Sequence, residues 1–414
     1  VIVIGQRLEF IIKLLILLYI LFSFVVFFEP AISDYLFLPL FFFFLITLIK
    51  NKKISAIFKS NIEFLVVIIL TYNTLQYAIL GGNLRFFIAT QYLLSLYLLL
   101  RYFDEEFGVK NVIIYAYNLA VILSMVISLI GVLKIANYYN FSFANYIVND
   151  HRIQSLFKDP NVYSAFLIYF VLSRVNNILD NEISDFKKYS FEIFLFFISI
   201  IYLILSTSRA SFYSLLIGIF LLYILKYFLT KDSKFKITKK LLALIVIICL
   251  SIFIVPNLFH ENSLYISKFK KLIPFGDRMI IKNKVENNLK ETNILQDYDT
   301  GGRFVAWKAA FILWRKSPII GIGPGNFESY SPKIEEKLGA KYITPSVHNL
   351  FLRILVENGF LGLILYLYLF LNILIKSLRQ GDYVFFSFVI VILLNSLFID
   401  SLHWRHLWYL LALI

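Results

Sequence analysis

The sequence predicts an all-α integral membrane protein of about twelve transmembrane helices with one large, partly helical loop on one face. Three observations carry this. Sixty per cent of the 414 residues are hydrophobic, with a mean hydropathy of +0.78, more than a soluble surface tolerates. Apolar runs long enough to cross a bilayer recur along the chain, and lipid leaves backbone polar groups no partner outside a helix. A single long polar interruption falls between Pro256 and Val347.

Candidate spans are 10–28, 34–49, 62–80, 84–102, 112–133, 161–179, 191–207, 210–229, 241–258, 349–375, 383–399 and 401–414. The chain divides accordingly into 1–255, holding nine spans, the loop 256–347, and 348–414, holding three. Arg7 and Lys13 precede the first run and no small-residue cleavage site follows Phe28-Glu29-Pro30, so this run reads as a helix and not a signal peptide. The 44 Phe and 27 Tyr suit lipid-facing surfaces and interfacial belts.

The net charge of +14 does not point to nucleic acid, because the basic residues sit in short clusters between apolar runs, beside lipid headgroups. Lys50 to Lys59, Arg101 and Lys110, Lys187 and Lys188, Lys226 to Lys240, and Lys376 with Arg379 fall in one alternating set of links. The positive-inside rule makes that set cytoplasmic and puts the long loop and the other links outside. The single cysteine, Cys249, excludes a disulfide framework.

Within the long loop, Arg303 to Arg315 reads as an amphipathic helix, extending over about 303–316, with Phe304, Trp307, Phe311 and Trp314 on one face. Pro318 ends it and Gly321-Ile322-Gly323-Pro324-Gly325 forms a tight turn. This is not a dinucleotide fingerprint, since neither a preceding strand nor a following helix is predicted.

Ionisable groups at membrane depth are costly and mark function. Arg209, in Ser206-Thr207-Ser208-Arg209 between two nearly abutting spans, is either an interfacial anchor or a ligand for an anion. Arg303 opens the amphipathic helix, and His348 stands directly before an apolar run, where imidazole could serve as a base. Histidines 151, 260, 403 and 406 compete with it, His403 most strongly, in Asp400-Ser401-Leu402-His403-Trp404-Arg405. No metal-ligand spacing and no Gly-x-Ser-x-Gly elbow is present, so no metal or cofactor is expected.

Four stretches in order resemble the O-antigen ligase and polymerase superfamily of bacterial membrane glycosyltransferases. They are Arg152-Ile-Gln-Ser-Leu-Phe-Lys-Asp-Pro-Asn161, Ser206-Thr-Ser-Arg209-Ala, Gly302-Arg303-Phe-Val-Ala-Trp307 with Pro318 to Phe327, and His348-Asn349 with Glu357-Asn-Gly359-Phe-Leu-Gly362. The resemblance implies a metal-independent GT-C-like enzyme of the bacterial cytoplasmic membrane, acting at the outer face. Its donor would be an undecaprenyl-diphosphate-linked glycan and its acceptor a glycan or lipid A-core. Arg209 and Arg303 would hold the diphosphate and His348 would activate the acceptor hydroxyl. Arg152, Asn161, Asn349 and Arg405 are candidate substrate contacts. Glu357 either orients the site or is a buried structural carboxylate. The rival from another class is a flippase for the same glycan, which polar groups such as Asn73, Gln76 and Gln91 would suit.

Overall fold

The computed structural model describes residues 2–51, 60–136, 142–180, 186–229, 234–257, 259, 264–272, 303–340, 343 and 346–414. Lys52, Lys53, Lys59, Lys231, His260, Gly301 and Gly302 lie outside these residues, as does most of the long loop before residue 303. The protein is helical almost throughout. Among the described residues nine helices are long and apolar enough to cross a membrane.

In chain order the helices are α1 (Ile2–Leu21), α2 (Ile32–Asn51), α3 (Asn61–Leu80), α4 (Leu84–Phe107), α5 (Lys110–Ile135) and the short α6 (Ala144–Ile147). A two-residue hairpin, Val148–Asn149 against Arg152–Ile153, follows. Then come α7 (Pro160–Asp180), α8 (Phe186–Leu205), α9 (Arg209–Leu229), α10 (Lys234–Asn257) and α11 (Leu264–Leu272). The outer helices are α12 (303–314) and α13 (Asn326–Lys337), and α14 (Leu350–Arg379), α15 (Tyr383–Asn395) and α16 (Arg405–Leu411) close the chain.

Three predicted spans differ from the structure, that of 383–399 being a 13-residue helix that ends at Asn395. The first helix begins at Ile2 and stops at Leu21, so the apolar residues 22–28 form the approach to Pro30 instead of another helical turn. The last helix is only seven residues long, because residues 396–404 are used as a loop that is bonded into the bundle.

The ends of the helices follow local chemistry. Ser60 and Glu63 make a capping box at the start of α3, and Gly81, at φ 67°, ends it. Asn83 caps α4, whose other end is a left-handed Gly108. The centre of the bundle is α7, packed on α8, α9, α10 and α15, and its buried residues run all round the helix from Tyr163 to Leu179. Ion pairs lie within the bundle, Arg101 with Glu63 at 3.0 Å and Arg174 with Glu192 at 3.1 Å.

One long span is broken. Gly359 in α14 has φ 69° and ψ −172°, outside the helical region. The backbone groups freed there bond to the glycine loop after α12: Phe360 N–H donates to Pro318 O at 2.8 Å, Leu361 N–H to Ile319 O at 3.1 Å, and Ile322 and Gly323 N–H donate to Val356 O and Glu357 O at 3.0 Å. A Cβ on Gly321 would lie 2.3 Å from Glu357 O, and one on Gly359 2.2 Å from Ile319 O, so the two strands meet only because both residues are glycine. Irregular backbone is tolerated at such depth only when protein satisfies it. Tyr72 and Gln76 of α3 complete the satisfaction, Tyr72 donating to Asn358 O at 2.6 Å and Gln76 to Glu357 O.

The glycine cluster also differs from expectation in its sequel: α13 starts at Asn326 directly after Gly325, which is left-handed at φ 71°. The cluster is still no dinucleotide fingerprint, since the element directly before it is the helix α12 and not a strand. Helices α12 and α13 share a small core with the start of α14, built on Ala306, Ala310, Leu313, Phe327 and Val356. The buried stripe of α12 is therefore its alanine face. Trp307 and Trp314 are partly buried, whereas Phe304 and Phe311 of the predicted aromatic face are exposed.

Candidate active site

The starts of α2, α4, α7, α9, α14 and α16 and the ends of α1, α3, α5, α8 and α15 lie at one end of the bundle, as alternation of direction requires. The links there are tied to one another: Val26 N–H donates to Leu156 O at 2.9 Å, Asn83 N–H to Pro324 O at 3.0 Å, and Leu350 N–H to Ser396 O at 2.9 Å. Every candidate site residue belongs to this end.

Arg209 is the first residue of α9, and the three-residue link before it turns through a left-handed Thr207 at φ 49°. The link is held from two sides. Arg152 Nε donates to Ser206 O at 2.8 Å while an Nη donates to Asn161 Oδ1 at 2.8 Å. Ser211 receives hydrogen bonds from Ser164 at 2.7 Å and from Asn395 at 2.9 Å. Arg152 thus ties Asn161 to the backbone of the link that precedes Arg209.

Arg303, the first described residue of α12, meets Arg209 across a cavity of about 570 Å³. Tyr213, Trp307, Leu397 and Phe398 are among its other walls, and the described lining contains no carboxylate. Arg209 opens α9, whose N-terminus carries partial positive charge and suits an anion.

His348 does not line this cavity, but its neighbours are fastened to the walls. Trp307 Nε1 donates to Val347 O at 2.9 Å, and Asn349 Nδ2 donates to Leu397 O at 3.0 Å. Asn349 also caps α14 by accepting from Leu352 N–H at 2.9 Å. His348 itself is left-handed at φ 51°, a conformation that costs a non-glycine residue of order 1–3 kcal/mol and recurs where function needs it.

A second cavity, about 700 Å³, opens between α2 and α4 and is lined by Glu29, Asp34, Arg85, Tyr92, His403 and Arg405 together with apolar side chains. Arg405, expected as a substrate contact, belongs here and not with Arg209 and Arg303. Its guanidinium grips Asp34 with two hydrogen bonds of 2.8 and 2.6 Å. His403, the rival base, bonds Thr90 Oγ1 at 3.0 Å and lies against the Phe86 ring.

Between the two cavities lies a polar cluster that hydropathy reasoning missed. Arg353, buried in the first turns of α14, is ion-paired to Asp400, to Glu357 at 3.4 Å and to Glu328 of α13 at 3.7 Å, and stacks on Phe86 at 4.7 Å. Burial pushes the Glu328 carboxyl up to about 7; Arg353 opposes this, while Glu357 and Asp400 reinforce it. Burial also acts on Asp400, but Arg353 and then His403 outweigh it and hold that carboxyl below its ordinary value. The signal for this cluster was Arg353 and Glu357 at i and i+4 within an apolar run, a spacing that pairs opposite charges on one helix face.

Asn73 and Gln76, which would have suited a transport path, are used at the helix break: both accept from Asn358 Nδ2, at 2.7 Å each. Gln91 donates to Leu70 O and Thr74 Oγ1, at 3.2 Å each.

A comparison with curated proteins finds no match. The family model described as O-antigen ligase matches residues 194–367, the stretch from α8 into α14 that contains Arg209, Arg303, His348 and the broken helix. Over that stretch the chain is similar to the O-antigen ligase family.

Proposed function

We propose that the protein transfers a glycan from an undecaprenyl-diphosphate carrier to an acceptor hydroxyl, at the outer face of the bacterial cytoplasmic membrane. The observation that carries this reading is that Arg209 and Arg303 line one and the same cavity. Two guanidinium forks match the oxygens of a diphosphate and neutralise the charge that develops as it leaves, a task for which no metal is then required. The acceptor oxygen bonds to the anomeric carbon, the carbon–oxygen bond to the diphosphate breaks, and His348 takes the hydroxyl proton.

The outer-face assignment is supported by the sidedness of charge. Lys50, Lys110, Lys187, Lys188, Lys226 and Lys376 belong to the end of the bundle opposite the cavities, as the positive-inside rule requires of a cytoplasmic end. Whether the acceptor is another carrier-linked chain or a lipid A-core separates polymerase from ligase.

Purified protein given a lipid-linked glycan donor and an acceptor should release undecaprenyl diphosphate in step with glycan transfer. Movement of the intact lipid-linked glycan across a bilayer without release would replace the transferase reading with that of a flippase.

A further inference from the structure

The cavity between α2 and α4 has the make-up of a lipid site in its own right. Its polar end holds Glu29, Asp34, Arg85, His403 and Arg405, and Lys158 joins it by pairing with Glu29 at 2.8 Å. Its other walls are apolar and reach Leu38 and Ile88, which are 65% and 54% exposed on the flank that α2 and α4 present to lipid. A ligand that fits must have a charged, hydroxyl-bearing head and a long apolar tail.

The charges at the head end select further. Three cations, Arg85, Lys158 and Arg405, stand with two carboxylates: Glu29 bridges Arg85 and Lys158, and Asp34 takes both forks of Arg405. A carboxylate held this way occupies the position that a phosphate's paired oxygens take, so these contacts mark where phosphate can enter. Burial, then Arg85 and Arg405, hold the Lys158 ammonium below its ordinary pKa, as expected where cations crowd. Carboxylates displaced from these pairs become acceptors for sugar hydroxyls. The loop that walls this cavity at His403 also walls the Arg209 cavity at Leu397, and six residues of chain reach about 20 Å at most.

We propose that the α2–α4 cavity binds the phosphate- and sugar-bearing head of a second lipid and seats the acceptor of the transfer. The acceptor role rests on the transferase reading; the binding of a lipid phosphate does not.

The test counts undecaprenyl diphosphate bound per chain by native mass spectrometry, with the full chain in phosphatidylcholine nanodiscs. Two equivalents are expected for wild type. Ala89→Trp, which fills the cavity, should leave one. So should the double change of Arg85→Gln and Lys158→Gln, whose side chains are 71% and 46% exposed and leave the walls intact. Arg209→Ala should also leave one, by removing the other equivalent. A single equivalent in wild type, lost in Arg209→Ala and kept in both cavity variants, overturns the proposal. Two equivalents that both survive Arg209→Ala count against the donor site and leave this one standing. Phosphatidylglycerol is the competitor: failure to displace the cavity-bound equivalent supports a carrier-linked acceptor, and displacement as effective as by added undecaprenyl diphosphate overturns the acceptor role in favour of an ordinary anionic-lipid site.

Discussion

The cavity of Arg209 and Arg303 and that of Arg85 and Arg405 each present two guanidinium groups, and in the second Glu29 and Asp34 of its own wall pair with them. An arginine matched in this way adds little net charge, while Arg209 stands at the start of a helix, where the partial positive charge of the N-terminus adds to its own. On the proposed transfer reading, this difference separates a place where negative charge is stabilised as it develops from one where a ligand exchanges with existing pairs. It also divides the histidines: the neighbours of His348 are fastened to the first cavity, and His403 lines the second.

The largest test of that division is the base. His348→Ala should cut turnover by roughly 10² to 10⁴ with donor binding kept, whereas His403→Ala should affect acceptor dependence and leave single-turnover donor chemistry within about tenfold. Measuring carrier release and donor retention on both variants checks it, and the reverse pattern would move the chemistry to the second cavity. Next is Arg209→Lys, which keeps the charge and loses the fork; carrier release should fall by at least about tenfold. A rate within about twofold of wild type would make Arg209 an anchor.

Arg353→Met sharpens the comparison by attacking the wall between the cavities. Three carboxylates then lose their buried cation, and breaking such a group costs about 3–5 kcal/mol; detergent unfolding should register the loss even without substrate. The smallest effect is expected for Glu328→Gln. Its carboxyl lies up at about 7 in the folded protein, above the ordinary value, so the folded state holds the proton more tightly than the unfolded one. Stability from this group is intact in acid and is lost as pH rises from the ordinary carboxylate range through about 7. The variant should therefore match wild type near pH 4.5 and become relatively more stable by pH 7.5 or so in thermal unfolding followed across pH.

The same contrast explains which features are legible in the amino-acid sequence. Spans and their alternation follow from hydropathy, and Arg209 and Arg303 stand out as permanent charges beside apolar runs. Arg405 also stands out, but its partner Asp34 lies at the far end of the chain, and no local pattern reveals a bidentate pair made over that distance. The break at Gly359 is hidden because hydropathy runs through it unchanged; only the two glycine motifs hint that backbones meet there. The aromatic face of α12 is visible as a period, yet periodicity does not tell which face a helix buries, and here small alanines allow the closer approach.

The joint between the glycine loop and the broken helix has a consequence for how the chain is made. Residues 318–323 are synthesised before Gly359, and their hydrogen-bond partners do not exist until α14 has emerged. The loop must therefore wait for a helix that is inserted after it, with Tyr72 and Gln76 of α3 already in place to receive both. Both halves of the joint lie downstream of residue 302, so a chain cut between residues 273 and 300 and expressed as two pieces keeps them on one polypeptide. The first piece brings α3 and Arg209, and the second brings Arg303 and His348, so biogenesis and the assembly of the anion site become one event.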